Sequence, residues 1–248
     1  MTIAVTMTAP RARPAMQGGL SLVELMVGIA ISLVIVAGGL SLLTNFTAEN
    51  RRLLLETRLN QDLRAAMELV TQDLRRAGYW QGSTAGVWAE GGPGVPAANA
   101  YRFFYNSACN AATLGASAPT LPAPASHVCY AVAQDGNNAV NETTRAELYG
   151  FHLADGVLYA VLNGSTQQPL TDPGTTTVTR FLVTPSSQAV PMAGYCRISC
   201  SVNCPRVIVR EFEVLLQGAA PSDPHTTRQL RSHVRVRNDY YDGQCPTS

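Results

Sequence analysis

The amino-terminal part of the chain changes from an apolar segment to an amphipathic one while a helical pattern continues. From Leu25 to Leu43 there is no charged residue, and proline is absent from residue 15 to residue 92. Farther on, apolar residues recur at intervals of three and four, which places them on one stripe of a helix. They are Leu55, Leu59, Leu63, Met67, Val70 and Leu74. The pattern predicts one helix from Leu20 to Ala77.

The length of the apolar segment predicts a membrane span. Residues 20–43 would form a helix of about 36 Å at ~1.5 Å per residue, enough to cross a hydrocarbon core of about 30 Å. The amphipathic half, 48–77, would pack on a domain, and Gly78 fits the residue that follows a helix. A plain single-pass anchor followed by an unrelated helix is the alternative. The basic residues on both sides of the span leave its orientation undecided.

The remaining two thirds of the chain, residues 79–248, predict a β-rich head domain. Short runs of β-branched and aromatic residues alternate with turn residues. The predicted strands are 101–105, 128–133, 147–153, 157–162, 177–184, 206–216 and 230–237. Asp155-Gly156 favours a tight hairpin. In the sixth strand, the set from Ile208 to Leu216 in steps of two is the apolar one and should face the helix. The predicted fold class is α+β, one long amino-terminal helix packed on an antiparallel sheet.

Composition and motifs argue against an enzyme. We find no nucleotide-binding loop, hydrolase elbow or metalloprotease motif, so no catalytic residue, cofactor or metal is predicted. Four scattered histidines indicate structural or exposed roles. Asp135-Gly136-Asn137-Asn138 resembles the start of a calcium loop, but Ala139 stands where an oxygen ligand belongs, which favours a turn.

The overall charge argues against a nucleic-acid partner. The chain has 18 basic and 17 acidic residues, which is not the global charge of a nucleic-acid binder. A local basic stretch near the carboxyl terminus is the exception. It contains Arg228, Arg231, Arg235 and Arg237. A solvated strand face is its simplest interpretation, and binding of DNA or an acidic partner is the alternative.

Cysteines place the head domain in an oxidising compartment. All six lie beyond the apolar segment, and an even number in a loop-rich region predicts disulfides. They are Cys109, Cys129, Cys196, Cys200, Cys204 and Cys245. Of the 15 possible connectivities, only a Cys109–Cys129 pair is favoured. The spacing of Cys196, Cys200 and Cys204 leaves a zinc site as an alternative.

The segment around Glu24 is the most specific motif. A carboxylate in hydrocarbon costs roughly 2.5–3.5 kcal/mol on insertion scales, so it needs a partner or the membrane interface. Gly18-Gly19-Leu20-Ser21-Leu22-Val23-Glu24-Leu25 resembles the processing signal of type IV prepilins and type II secretion pseudopilins. The resemblance implies that a prepilin peptidase cuts after Gly19, removes residues 1–19 and methylates the new terminus at Leu20. The family usually has Phe at that position.

Physical reasoning gives Glu24 a partner after cleavage. The new amine of Leu20 on a staggered neighbour could pair with the carboxylate in low dielectric and hold the register between subunits. Gly28 and Ser32 form a small-residue pair suited to close helix packing, although small residues also occur at random in apolar runs.

A second resemblance extends into the head. The stretches from Leu63 to Tyr79 and from Leu230 to Asn238 are similar to PilW-type minor pilins. This resemblance implies a minor pilin that helps to prime pilus assembly and sits at the tip. Its partners would be other minor pilins, the major pilin and a PilY-type tip adhesin. The protein would reside in the inner membrane, with its head in the periplasm, before joining the pilus. Alternatives are the type II secretion pseudopilin J and a minor pilin that binds DNA.

Overall fold

The computed structural model describes residues 19, 21–83, 99–102, 104–105, 109, 124–133 and 147–246. The chain divides into two compact units, residues 1–52 and 53–248. The first unit contains the amino-terminal half of one helix, and the second contains the rest of that helix and the β-rich head. The calcium-like segment 135–139 lies outside the described residues.

The long helix, α1, runs from Leu22 to Arg76. It begins two residues after the predicted start and ends one residue before the predicted end. Gly78 follows it with φ +73°, the left-handed conformation that glycine adopts without strain. Arg75 and Arg76 occupy the last turn, where the helix dipole favours cations.

The described part of the head contains two antiparallel sheets, whereas the sequence predicted one. The first has five strands in sequential order. Its strands are β1 (Phe104–Tyr105), β2 (His127–Ala131), β3 (Leu148–Ala154), β4 (Val157–Leu162) and β5 (Thr166–Pro169). The second has β6 next to β7 and β7 next to β8, with β9 also pairing β7. Its strands are β6 (Thr177–Pro191), β7 (Arg206–Ala220), β8 (Asp223–Arg235) and β9 (Tyr240–Asp242).

Turn chemistry explains the best-predicted hairpin. Asp155 and Gly156, between β3 and β4, have φ values of +50° and +76°, as a two-residue turn of the primed type requires. The strands it joins pair from Ala154 with Val157 up to Gly150 with Val161. β5 and β9 were not predicted from the sequence, and β6, β7 and β8 are all longer than predicted.

The core of the head lies between the second half of α1 and the two sheets. The buried helix residues are Leu59, Leu63, Ala66, Met67, Val70 and Leu74. They pack with Phe151 and Leu158 of the first sheet and with Phe181, Phe212 and Leu216 of the second. The predicted inward set of β7 is confirmed for Phe212, Val214 and Leu216, which are buried in one cluster with the helix residues. Ile208 and Arg210 are also buried but lie outside that cluster. One apolar stripe of the helix therefore packs against both sheets.

Backbone and side-chain hydrogen bonds tie the carboxyl-terminal end of α1 to the head. The Gly78 amide donates to the Ala131 carbonyl at 2.9 Å, and the Asn238 side chain donates to the Ala77 carbonyl at 3.0 Å. Buried Arg210 donates to the Asn238 carbonyl at 2.6 Å and lies 5.0 Å from the Tyr240 ring centre. Burial lowers the pKa of Arg210 to about 10, so its guanidinium stays charged at neutral pH.

Candidate assembly site on the amino-terminal helix

The amino-terminal half of α1 is not covered by any other described part of the chain. Every residue from Ser21 to Arg52 is exposed, including Leu22 at 73% and Val34 at 73%. An 18-residue window of the helix reaches a mean hydropathy of 2.4. Exposed apolar surface of this extent is unfavourable in water. It fits single-pass anchoring in a membrane, where lipid covers the same surface.

A shallow groove runs along one face of this half. Glu24, Gly28 and Ser32 follow one another at intervals of four, so they lie on one face. A Cβ added at Gly28 would meet no atom within 4 Å, which leaves the helix backbone open to close approach. Leu25, Ile29, Leu33 and Val36 line the rest of the groove. The groove is therefore mostly apolar, with the carboxylate of Glu24 at its amino-terminal end.

Of the two polar side chains in the groove, Ser32 has a hydrogen-bond partner in its own helix and Glu24 does not. The Ser32 hydroxyl donates to the Gly28 carbonyl at 2.7 Å, so it brings no unsatisfied donor into an apolar environment. Glu24 lies in the first turn of α1, where the helix dipole favours a carboxylate. No hydrogen bond or ion pair joins it to another described residue. The carboxylate is therefore available to a group from another molecule.

The predicted processing site is described only in part. Gly19 is exposed and non-helical, and the first backbone bond of the helix runs from the Leu25 amide to the Ser21 carbonyl at 3.1 Å. Leu20 lies outside the described residues. Cleavage after Gly19 and the pairing of Glu24 with a new amine remain predictions from the sequence.

All six cysteines form disulfides. The predicted pair Cys109–Cys129 is one of them, with 5.3 Å between its Cα atoms. Cys196 pairs with Cys245 at 5.5 Å, and Cys200 with Cys204 at 5.6 Å. The zinc alternative for Cys196, Cys200 and Cys204 is wrong in this structure because their sulfurs are paired. Among the described residues, no group of three or more histidine, cysteine, aspartate or glutamate side chains could hold a metal ion.

Ion pairs neutralise most of the basic stretch. Arg228 contacts Glu56 at 2.7 Å, Arg231 contacts Glu213 at 3.1 Å, and Arg235 contacts Asp239 at 2.9 Å. Arginines paired within their own chain offer less charge to a phosphate backbone. This arrangement favours a solvated strand face over a DNA-binding surface.

Comparison with known families agrees with this anatomy. Residues 52–236 match the family described as prepilin peptidase-dependent protein B. The chain belongs to this family. No curated protein and no solved structure matches the chain significantly.

The family match and the processing motif are separate observations. The match begins at residue 52, whereas the processing signal ends well before it, so the head carries the family relationship without help from the signal. Both point to a pilin-related protein of a pilus or secretion system that depends on a prepilin peptidase. Two distant parts of one chain therefore indicate the same class of protein.

Proposed function

We propose that the protein is a minor pilin that takes part in priming and tip assembly of a type IV pilus, and that it has no catalytic activity. One observation carries the proposal. The amino-terminal half of α1 exposes an apolar groove headed by Glu24, while the other half of the same helix packs one apolar stripe against the head. One half of such a helix packs against its own domain, and the other half is free to contact lipid or other subunits.

Assembly would exchange lipid for neighbouring helices. In the membrane, acyl chains cover the exposed half of α1, and in a fibre the equivalent halves of other minor pilins and the major pilin cover it. The open backbone at Gly28 allows a neighbour to approach closely, as small residues do between membrane helices. Glu24 would pair with the amine of Leu20 on a neighbouring subunit, and that pair would favour one register over others.

The head would provide the specific contacts of the assembly. Its three disulfides fit a periplasmic and then extracellular location, where such bonds persist. Partners for it are other minor pilins and a PilY-type tip adhesin. The type II secretion pseudopilin J, a structural role in another machine, is the second candidate because the same helix and head would serve both.

Deletion of the gene, scored for surface pili and for protein secretion, tests the proposal. We expect pili to be lost and secretion to continue, and the wild-type gene supplied in trans should restore pili. Loss of secretion with normal pili would replace the pilus assignment with the secretion one. Normal pili together with normal secretion would contradict both the pilus and the secretion assignment.

Mass spectrometry of pilus-enriched material tests the processing step. The mature chain should begin at Leu20, with its amino terminus methylated. The bulky variant Gly19→Val should retain the leader because it alters the residue before the cut, and Gly18→Val, one residue farther away, is the matched control. An intact leader in wild-type pilus material would contradict the proposal.

A further inference from the structure

We propose that the Cys196–Cys245 disulfide is a site of thiol–disulfide exchange, and that a dithiol which opens it releases the carboxyl-terminal segment of the head. The segment consists of residues 240–245. The disulfide holds it against the connection between β6 and β7, residues 192–205. The rest of the head would stay folded when the bond opens. This proposal concerns the head alone and does not rest on the proposed pilus function.

Backbone contacts place the segment directly on the connection. The Gln244 amide donates a hydrogen bond to the Asn203 carbonyl at 2.9 Å. A Cβ added at Gly243, which has φ +80°, would collide with the Cys204 backbone, so the two backbones approach each other closely. The Cys200 Sγ lies 4.0 Å from the Gln244 carbonyl oxygen. The segment therefore contacts the connection just before the residue that carries the disulfide.

Noncovalent contacts along the rest of the segment are limited. Within the described part of the chain, β9 pairs with three residues of β7. Arg206 and Asp242 form an ion pair in which the side chains are 52% and 46% exposed, and exposed pairs contribute little. The disulfide joins residues 49 apart in sequence, and a cross-link over a long loop restricts the open state strongly. The covalent bond is therefore the main attachment of the segment.

Exposure distinguishes this disulfide from the one in the core. Cys109 and Cys129 are 4% and 1% exposed, so a reagent in solvent reaches their bond only if the surrounding structure opens. Cys196 and Cys245 are partly exposed, and the residues on both sides of each are exposed. Access controls the rate of thiol–disulfide exchange. A dithiol should therefore open Cys196–Cys245 before Cys109–Cys129.

The dithiol supplies both electrons and both protons of the exchange. One of its thiolates attacks a sulfur of the disulfide and forms a mixed disulfide, while the other cysteine leaves as a thiolate. The second thiolate of the dithiol then attacks the mixed disulfide and displaces the first cysteine. The dithiol is oxidised to its own disulfide, and its two protons end on the sulfurs of Cys196 and Cys245. Thioredoxin-like proteins carry dithiols of this class.

Release of the segment would uncover one end of β7. Residues 206–208 would lose their pairing with β9, and the buried Arg210 guanidinium would lose the Tyr240 ring, whose centre is 5.0 Å away. β7 would keep its pairing with β6 along its whole length and with β8 from Glu211 onward. An unpaired strand edge is a surface to which another chain can add a strand. The reduced head therefore offers an edge that the oxidised head covers.

Graded reduction of the full-length chain in detergent with dithiothreitol tests the site. Free thiols are alkylated and located by peptide mass spectrometry, and hydrogen exchange is measured on the same samples. Cys196 and Cys245 should be alkylated at dithiothreitol concentrations at least tenfold below those that open Cys109–Cys129. The amides of residues 240–245 should then exchange at least tenfold faster, because local opening no longer requires a broken bond. The amides of residues 148–162 should be unchanged.

Two double variants assign the effect to one bond. Cys196→Ser/Cys245→Ser should exchange rapidly in the segment with or without dithiothreitol. Cys200→Ser/Cys204→Ser removes the neighbouring disulfide, which joins residues only four apart. It is the matched control and should still release the segment on reduction.

The wild-type reduction series does not depend on folding of the variants, and it can overturn the proposal by itself. Opening of Cys196–Cys245 without faster exchange in residues 240–245 would overturn it. So would opening of Cys109–Cys129 at the same dithiothreitol concentration, or faster exchange in residues 148–162 together with the segment. Failure of the control variant to release its segment would also overturn it.

Discussion

The two halves of α1 are both rich in leucine, but among the described residues only the second half is buried against other elements. Leu33 in the first half is 64% exposed, whereas Leu63 in the second half is fully buried. The second half has one apolar stripe that two sheets cover, whereas residues 25–43 of the first half have no charged side chain on any face. A helix that is apolar all round needs a surrounding of lipid or other helices. Burial by other described residues thus distinguishes the half that folds with the head from the half that is exposed.

The polar residues of the two halves differ in the same way. Asp62 in the second half accepts hydrogen bonds from Thr175 at 2.5 Å and from Thr176 at 3.0 Å. Asp73 accepts one from Tyr130 at 3.1 Å. Glu24 in the first half has no such partner among the described residues. Asp62 and Asp73 of the second half hold the helix to the head, whereas no described residue pairs with Glu24 of the first half.

Truncating a leucine in each half should give the largest difference. We expect Leu63→Ala to lower the free energy of unfolding of the head by about 2–5 kcal/mol, because it leaves a cavity between α1 and the sheets. The matched variant Leu33→Ala should leave head stability unchanged. Urea unfolding of both full-length variants in mild detergent, followed by tryptophan fluorescence, measures this. Equal effects of the two substitutions would show that the halves do not differ as described.

Removing an acid from each half should give a smaller difference. Asp62→Ala leaves the hydroxyl of buried Thr176 without its acceptor, whereas the Thr175 hydroxyl keeps the Asp172 carbonyl at 3.2 Å. We therefore expect a loss of about 1–3 kcal/mol. Glu49→Ala, at an exposed position in the first half, should change stability by less than about 0.5 kcal/mol. The same unfolding measurement applies. A loss with Glu49→Ala as large as that with Asp62→Ala would refute the assignment of polar anchoring to the second half.

The surface ion pair between Arg228 and Glu56 should give the smallest effect. The two side chains are 43% and 24% exposed, and exposed pairs contribute at most about 1 kcal/mol. Arg228→Ala should therefore cost up to about 1 kcal/mol at low salt and less at high salt, because ions screen the pair. Arg64→Ala, at an exposed position on the same helix as Glu56, is the control. A loss that does not decrease with added salt would mean that packing by the arginine stem matters more than charge.

Local patterns in the sequence were sufficient for much of the fold. The helix followed from apolar spacing and the absence of proline, and β4 was predicted with its observed bounds because Asp155-Gly156 defines its start. β5 was missed because all four of its residues are exposed and three of them are polar. β9 was missed because only pairing with β7 makes its three residues a strand. Short strands of this kind depend on tertiary contacts that no local pattern contains.

Long-range pairing also limits what the sequence says about sites. Gly19 and Glu24 were identified because their motif is contiguous. The Cys196–Cys245 disulfide joins two segments that the fold brings together, so spacing along the chain did not reveal it. Gly28 and Ser32 were identified from the sequence as a small-residue pair suited to helix packing, but the groove itself was not predicted. Only the structure shows which leucine and isoleucine side chains line it.

The central claim is that the exposed half of α1 assembles with other subunits through Glu24. The most direct test compares Glu24→Ala with the matched variant Glu49→Ala in cells, by measuring the amount of protein in the membrane and in sheared pili. We predict that both variants reach the membrane at wild-type levels and that only Glu24→Ala is depleted from pili, at least tenfold. Incorporation of Glu24→Ala into pili at the level of Glu49→Ala would contradict the claim.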